Sequence, residues 1–231
     1  MAVLAATALA DIRIELREPT AAFWTDAEIM KYLDEGMRKQ HEIVIRHAKM
    51  SGRLRDHAHP YLAAYIDYAS GSLVDGTTDY SLPAAYFEAV SFSTGLSSST
   101  LSEARRIGPE DEWLARQFPQ QYGPTAGQAL WLIAPTAAAV RKLRVFAAGD
   151  GIVPKNTDAY ELTFIRDITQ TEGSTSGSLD ISSPYDEGPR EWAVGRAFEK
   201  QGQDAAPWFQ KFKDAAERII PAPPQPSQAA A

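Results

Sequence analysis

The chain contains no cysteine among its 231 residues, which excludes a disulfide framework and thiolate metal sites and favours a reducing cytosol. Long apolar runs are missing as well. None approaches the roughly 20 residues a helix needs to cross a bilayer, so a soluble chain with no membrane partner is expected. The apolar first ten residues lack the basic start of a secretory signal and are cut at Asp11-Ile12-Arg13, so they read as the beginning of a helix. Positive charge is scarce. With 23 Lys and Arg against 30 Asp and Glu, the net charge is −7, the opposite of the basic stripe on a protein that coats nucleic acid.

What is present is an ordinary globular composition, 44% hydrophobic and 23% charged. The chain is long enough to bury a real core as one domain or two small ones. Residues 1–58 read as helices. Leu9, Ile12 and Leu16 mark one face of a helix that must stop before Pro19. A second helix starts at Thr25 as N-cap, with Glu28 completing a capping box and Trp24 stapling onto Ile29. Ile29, Leu33, Met37, Val44 and Ala48 carry its period to about Met50, where Ser51-Gly52 ends it.

Across residues 59–170 the period changes. Tyr65–Tyr68, Tyr80–Leu82, Phe87–Thr94, Leu130–Ile133, Leu143–Ala147 and Tyr160–Ile168 read as short strands, punctuated by turn signals at Asp75-Gly76 and Asp150-Gly151. Along Phe87–Thr94, Glu88, Val90 and Phe92 are expected on one face. A brief helix opens at Pro109, with three acidic residues opposing its positive end. The Ser/Thr/Gly-rich stretch from Thr169, and 171–183 in particular, reads as a flexible connector. Residues 184–220 form a helical hairpin, with Asp186 and Asp204 as caps, Gly202 ending the first helix and Pro221 stopping the second. Residues 221–231 are proline-rich and suited to extended polyproline geometry. The fold class expected is α+β: a helical bundle made by the N- and C-terminal helices, an inserted small antiparallel β sandwich or barrel, and an extended C-terminal arm.

Chemistry is hard to find. All four histidines fall between 41 and 59. His41 and His47 are six apart, the wrong spacing for one helix face, and His57-Ala58-His59 has no third ligand set by sequence. Solvated or interface histidines are the favoured reading. Gly173–Gly177 has Thr175 where a nucleophile elbow needs serine, and Gly123–Gly127 lacks the lysine of a phosphate loop. Asp34-Glu35 and Asp186-Glu187 are adjacent in sequence and point apart. No catalytic residue, cofactor or metal is expected. The hairpin carries Trp192, Phe198, Trp208, Phe209 and Phe212. These rings either pack the core or serve in part as a subunit contact.

An ordered set of short motifs points further. Trp24–Glu35 is followed by Tyr80-Ser81-Leu82-Pro83, Leu130–Pro135 and Leu143–Phe146, then Ala197–Lys200 and Trp208–Phe212. In this order, over about residues 7–218, the chain resembles the head-to-tail adaptor (connector) proteins of tailed bacteriophages. The resemblance implies a non-enzymatic virion protein of the neck, assembled in the host bacterial cytoplasm. It implies a ring, usually of twelve copies, that docks on the phage portal protein, offers a surface to a tail or nozzle protein and lets DNA pass without sequence-specific binding. The portal contact would fall on Trp208, Phe209, Phe212, Ile219, Ile220, Pro221, Pro223, Pro224 and Pro226. A closed ring needs two complementary patches per subunit, for which the helix-face pairs Glu35/Lys39 and Arg38/Glu42 are candidates. Twelve copies at −7 each would total −84, an acidic lumen along which phosphates slide without sticking. One rival reading is a monomeric module whose β domain recognises a carbohydrate or another surface ligand. A hydrolase with an unrecognised site is the other.

Overall fold

The computed structural model describes residues 2–18, 20–95, 101–118, 121, 129–135, 140–147 and 158–221. The fold is α+β and divides into two compact units, one made of the residues up to Ala64 and from Asp167 on, the other of Tyr65–Arg166. The Gly123–Gly127 loop, the Asp150-Gly151 turn and the tail beyond Pro221 lie outside the described residues.

The first unit holds helices α1 (Ala5–Glu15), α2 (Asp26–Met50) and, after α3 (Pro60–Tyr65) and α4 (Pro109–Gln117) in chain order, α5 (Glu187–Lys200) and α6 (Ala206–Ile219). Its longest helix, α2, begins as the sequence dictates. Thr25 is the N-cap and its Oγ1 accepts from Glu28 N at 3.2 Å. Ile29, Met30, Leu33, Met37, Val44, Ile45 and Ala48 are all buried on one side, the wide apolar stripe of a helix packed in a bundle. Arg13 ties the end of α1 to the start of α2. Its guanidinium is buried, donating to Trp24 O at 3.0 Å and through Nε to Asp26 Oδ1 at 3.0 Å.

Helix α5 lies close against α2 because Gly36 leaves room. A Cβ at Gly36 would sit 2.8 Å from Pro189 O and 2.9 Å from Trp192 Cβ. On the next interface Trp192 meets Phe212 of α6 edge to face, 5.0 Å between centroids. The N-cap of α6 is Ala205 and not the expected Asp204, which stands one residue earlier and accepts from Ala206 N through Oδ1 at 3.0 Å. Asp186 occupies the N-cap of α5 without a capping bond and pairs with Arg190 at 3.3 Å instead.

The expected flexible connector needs correction. Strand β10 (Ser178–Ser182) pairs antiparallel with β1 (Ala2–Leu4), and Leu179 and Ile181 are buried. Their period-2 spacing is a strand signal within the Ser/Thr-rich composition. The hydroxyls and amides are put to use: Thr171 N and Oγ1 both donate to buried Asp34, each at 2.9 Å.

The second unit is a sandwich of two open four-stranded sheets, not a closed barrel. Its strands are β2 (Ile66–Ser72), β3 (Asp79–Ser81), β4 (Tyr86–Thr94), β5 (Ser102–Glu103), β6 (Arg105–Arg106), β7 (Ala129–Pro135), β8 (Arg141–Ala147) and β9 (Ala159–Arg166). One sheet runs β2-β9-β4-β5 and the other β3-β8-β7-β6, antiparallel except for the short β6–β7 pair. Leu73, Phe92, Leu162 and Phe164 from the first meet Tyr80, Trp131, Leu143 and Val145 from the second. The strict alternation expected along β4 is interrupted. Register shifts at Tyr86/Glu88 and Ala89/Ser91 bring Ala89 and Phe92 into the same core, the effect of a bulge. Strand β7 is covered on both faces. Trp131 enters the sandwich, while Leu130 and Leu132 lie with Ala115 of α4, which explains its continuous apolar run.

Candidate docking surface

The residues singled out for docking part company in the structure. Phe212 is 4% exposed and Ile220 fully buried, so both belong to the bundle's own core. Trp208 is half-buried and stacks on Phe198 at 5.7 Å, with Lys211 Nζ 4.0 Å from its centroid. Phe209 is half-buried against Trp192, 4.8 Å between centroids. Ile219 lines a cavity of about 200 Å³ with Gln40, Tyr185, Gly188 and Ala215. Pro221 is exposed. Pro223, Pro224 and Pro226 lie outside the described residues.

Charges on the helices are engaged within the chain. Glu28 meets Lys200 at 2.6 Å, Glu35 meets Arg196 at 3.3 Å, Asp11 meets Arg190 at 2.7 Å and Glu187 meets Arg218 at 3.0 Å. The Arg38–Glu42 pair forms at 3.6 Å. The expected Glu35/Lys39 pair gives way, because Glu35 pairs with Arg196 and Lys39 Nζ lies 4.9 Å from the Trp192 centroid. Such exposed pairs are each worth at most about 1 kcal/mol. Their effect is on the register of α5 against its neighbours. The bond from Lys200 holds the Glu28 carboxyl below the usual carboxylate range, whereas burial pushes Glu191 up.

The larger cavity, about 330 Å³, is lined by Asp11, Ile12, Ile14, Glu15, Glu187, Arg190, Glu191 and Val194. Its polar lining consists of four carboxylates and the Arg190 guanidinium. Among the described residues no group of three or more His, Cys, Asp or Glu is placed to hold a metal ion.

The histidines separate too. His41 is buried in the bundle with Nδ1 3.3 Å from Tyr61 Oη, and His57 is exposed. His47 and His59 meet the end of α6: His47 Nδ1 lies 2.9 Å from Ile220 O and His59 Nε2 3.1 Å from Ile219 O. Nothing in the sequence signals that meeting, since the partners are 173 and 160 positions apart and backbone carbonyls leave no mark on composition.

A family model described as SU10 adaptor protein matches residues 4–230. The chain belongs to that family. A search of curated proteins finds no match. The family is that of a phage head-to-tail adaptor, a structural component of the virion neck that meets portal and tail, and it is not an enzyme family. Helix α6 closes with Ile220 in the core and Pro221 outside it. Among the described residues no helix is long and apolar enough to cross a membrane.

Proposed function

We propose that this chain is the subunit of a twelve-membered ring between portal and tail, extending the DNA channel and carrying the tail's docking surface. The observation that carries the reading is the family match over nearly the whole chain. In this reading the N- and C-terminal helices form the bundle, the β unit projects a tail-side surface, and the segment from Pro221, with Pro223, Pro224 and Pro226, reaches the portal. A polyproline-like arm of eleven residues spans up to about 34 Å at ~3.1 Å per residue. It loses less entropy on docking than a flexible one. Ile219 borders the arm's origin, Trp208 and Phe209 offer half-buried apolar area at the opposite end of α6, and Phe212 and Ile220 act from within. The ring's lumen carries net negative charge and passes DNA without holding it. Assembly takes place in the host bacterial cytoplasm.

The test is deletion of 221–231. Binding to the portal of the same phage should weaken by at least tenfold with the fold intact, and unchanged binding would remove the arm from the account. A lumen lined by Lys and Arg in an assembled ring would remove the acidic-channel proposal. One observation favours a second reading. Trp113 is 59% and Tyr68 54% exposed in the β unit, as a monomeric carbohydrate-binding module would require. A chain that stays monomeric beside the portal and binds glycans would select it.

A further inference from the structure

We propose that His47 and His59 form a clasp that fixes where and in what direction the C-terminal segment leaves the bundle. The proposal rests on the reading of that segment as the portal-docking arm and names the residues that aim it. The last carbonyls of a helix have no partner within it. At the end of α6, two of them are taken by imidazoles from the other end of the sequence. A carbonyl only accepts, so the nitrogen facing it carries the proton. His47 therefore donates from Nδ1 to Ile220 O at 2.9 Å, and His59 from Nε2 to Ile219 O at 3.1 Å.

The two donors come from different elements. His47 stands in the last turn of α2, and His59 immediately precedes α3. Successive carbonyls gripped from two sides leave the terminal turn little freedom to fray or swing. The Ile220 side chain, fully buried, adds a third point of attachment. One residue further, Pro221 is exposed. The change from a buried to an exposed side chain thus occurs across a single peptide bond. An arm that starts from a fixed point searches a smaller volume than one that starts from a frayed helix, which raises its effective concentration at the docking site.

Limited trypsinolysis of the full chain reads the clasp directly. Arg218 is exposed, and the Arg218–Ile219 bond lies in the clasped turn. Its cleavage releases the peptide 219–231, which mass spectrometry counts apart from all other fragments. Proteolysis of a locally opened segment follows its opening equilibrium. His47→Ala and His59→Ala should each speed release about fivefold, the ordinary worth of one hydrogen bond, and the double variant about twenty-five-fold. His47→Asn and His59→Gln keep an N–H near the original position and should stay within about twofold of the parent. Equal rates for parent and alanine variants would overturn the clasp. So would asparagine and glutamine variants as fast as the alanine ones, because a space-filling role would then account for the effect. If the double variant melts, the single variants decide. Portal binding is measured alongside: variants with faster release but unchanged portal affinity would leave the clasp standing and remove the arm's role in docking.

Discussion

Gly36→Ala should destabilise the helical unit by about 2 kcal/mol, although alanine is the better helix former. Two effects oppose each other. In the middle of α2 the exchange gains about 1 kcal/mol of helix propensity. Against that, the new methyl would stand 2.8 Å from Pro189 O, 2.9 Å from Trp192 Cβ and 3.0 Å from Pro189 Cα. Two of these atoms are backbone and the third is bonded to it, so no rotamer change relieves the contact. The helices must move apart by several tenths of an ångström, which also shifts Trp192 against Phe212 of α6. Overpacking of this kind costs about 3 kcal/mol at its upper end, leaving a net loss of about 2 kcal/mol. Gly195→Ala is the internal comparison. Its new methyl would meet ring atoms of Phe209 at 2.8 and 3.0 Å, and a half-buried ring can yield, so its cost should be smaller. Urea unfolding followed at the helix band of the circular dichroism spectrum tests both. With a slope of about 2 kcal/mol per molar, Gly36→Ala should lower the midpoint by about 1 M. A midpoint raised by the substitution would mean that propensity wins and that α2 and α5 do not approach as closely as described.

Four further substitutions test other parts of the account. Phe212→Ala should cost about 3–5 kcal/mol, as for a buried ring, and Trp208→Ala less than half as much; equal losses in urea would contradict the division between core and rim. Hydrogen bonds from Arg144 hold the Asp79 carboxyl below its usual range. A depressed folded value adds stability that is present above the unfolded pKa of about 3.9 and lost as pH falls through the lower folded one. Asp79→Asn should therefore flatten the melting temperature of the β unit below about pH 4, and a persistent acid slope of the parent's size would refute it. Burial pushes Glu191 up despite Lys211 at 3.7 Å. A raised folded value adds stability fully present below the unfolded pKa of about 4.3 and lost as pH rises through the folded one. Glu191→Gln should be at least as stable as the parent at pH 7 and show no advantage at pH 3; lower stability at pH 7 would mean the ion pair outweighs burial.

Much of the fold was legible because local signals agreed with tertiary demands. Thr25 announced α2, and the stripe Ile29, Leu33, Met37, Val44 and Ala48 marked the side that is buried. Pro109 and the acidic residues after it announced α4. The sequence misled where composition outweighed period. Leu179 and Ile181 alternate as a strand should, yet the serines, threonines and glycines around them read as a linker. Along β4 a bulge moved Ala89 to the core face, which no alternating pattern reveals. The docking residues were legible only as a cluster. Phe212 and Trp208 are four positions apart on one helix, and their burial differs because Trp192 covers the first and Phe198 only partly covers the second. The histidine contacts were illegible for a simpler reason. Their acceptors are main-chain carbonyls, and the approach of residues 47 and 59 to 219 and 220 is set by the packing of the whole bundle.

The central claim is that this adaptor assembles on a portal. Mass measurement by light scattering on the purified chain, alone and mixed with the portal protein of its own phage, tests it most directly. The account predicts a complex in which about one adaptor copy joins each portal subunit, whether the ring forms beforehand or only on mixing. A chain that remains monomeric and leaves the portal's mass unchanged would contradict it.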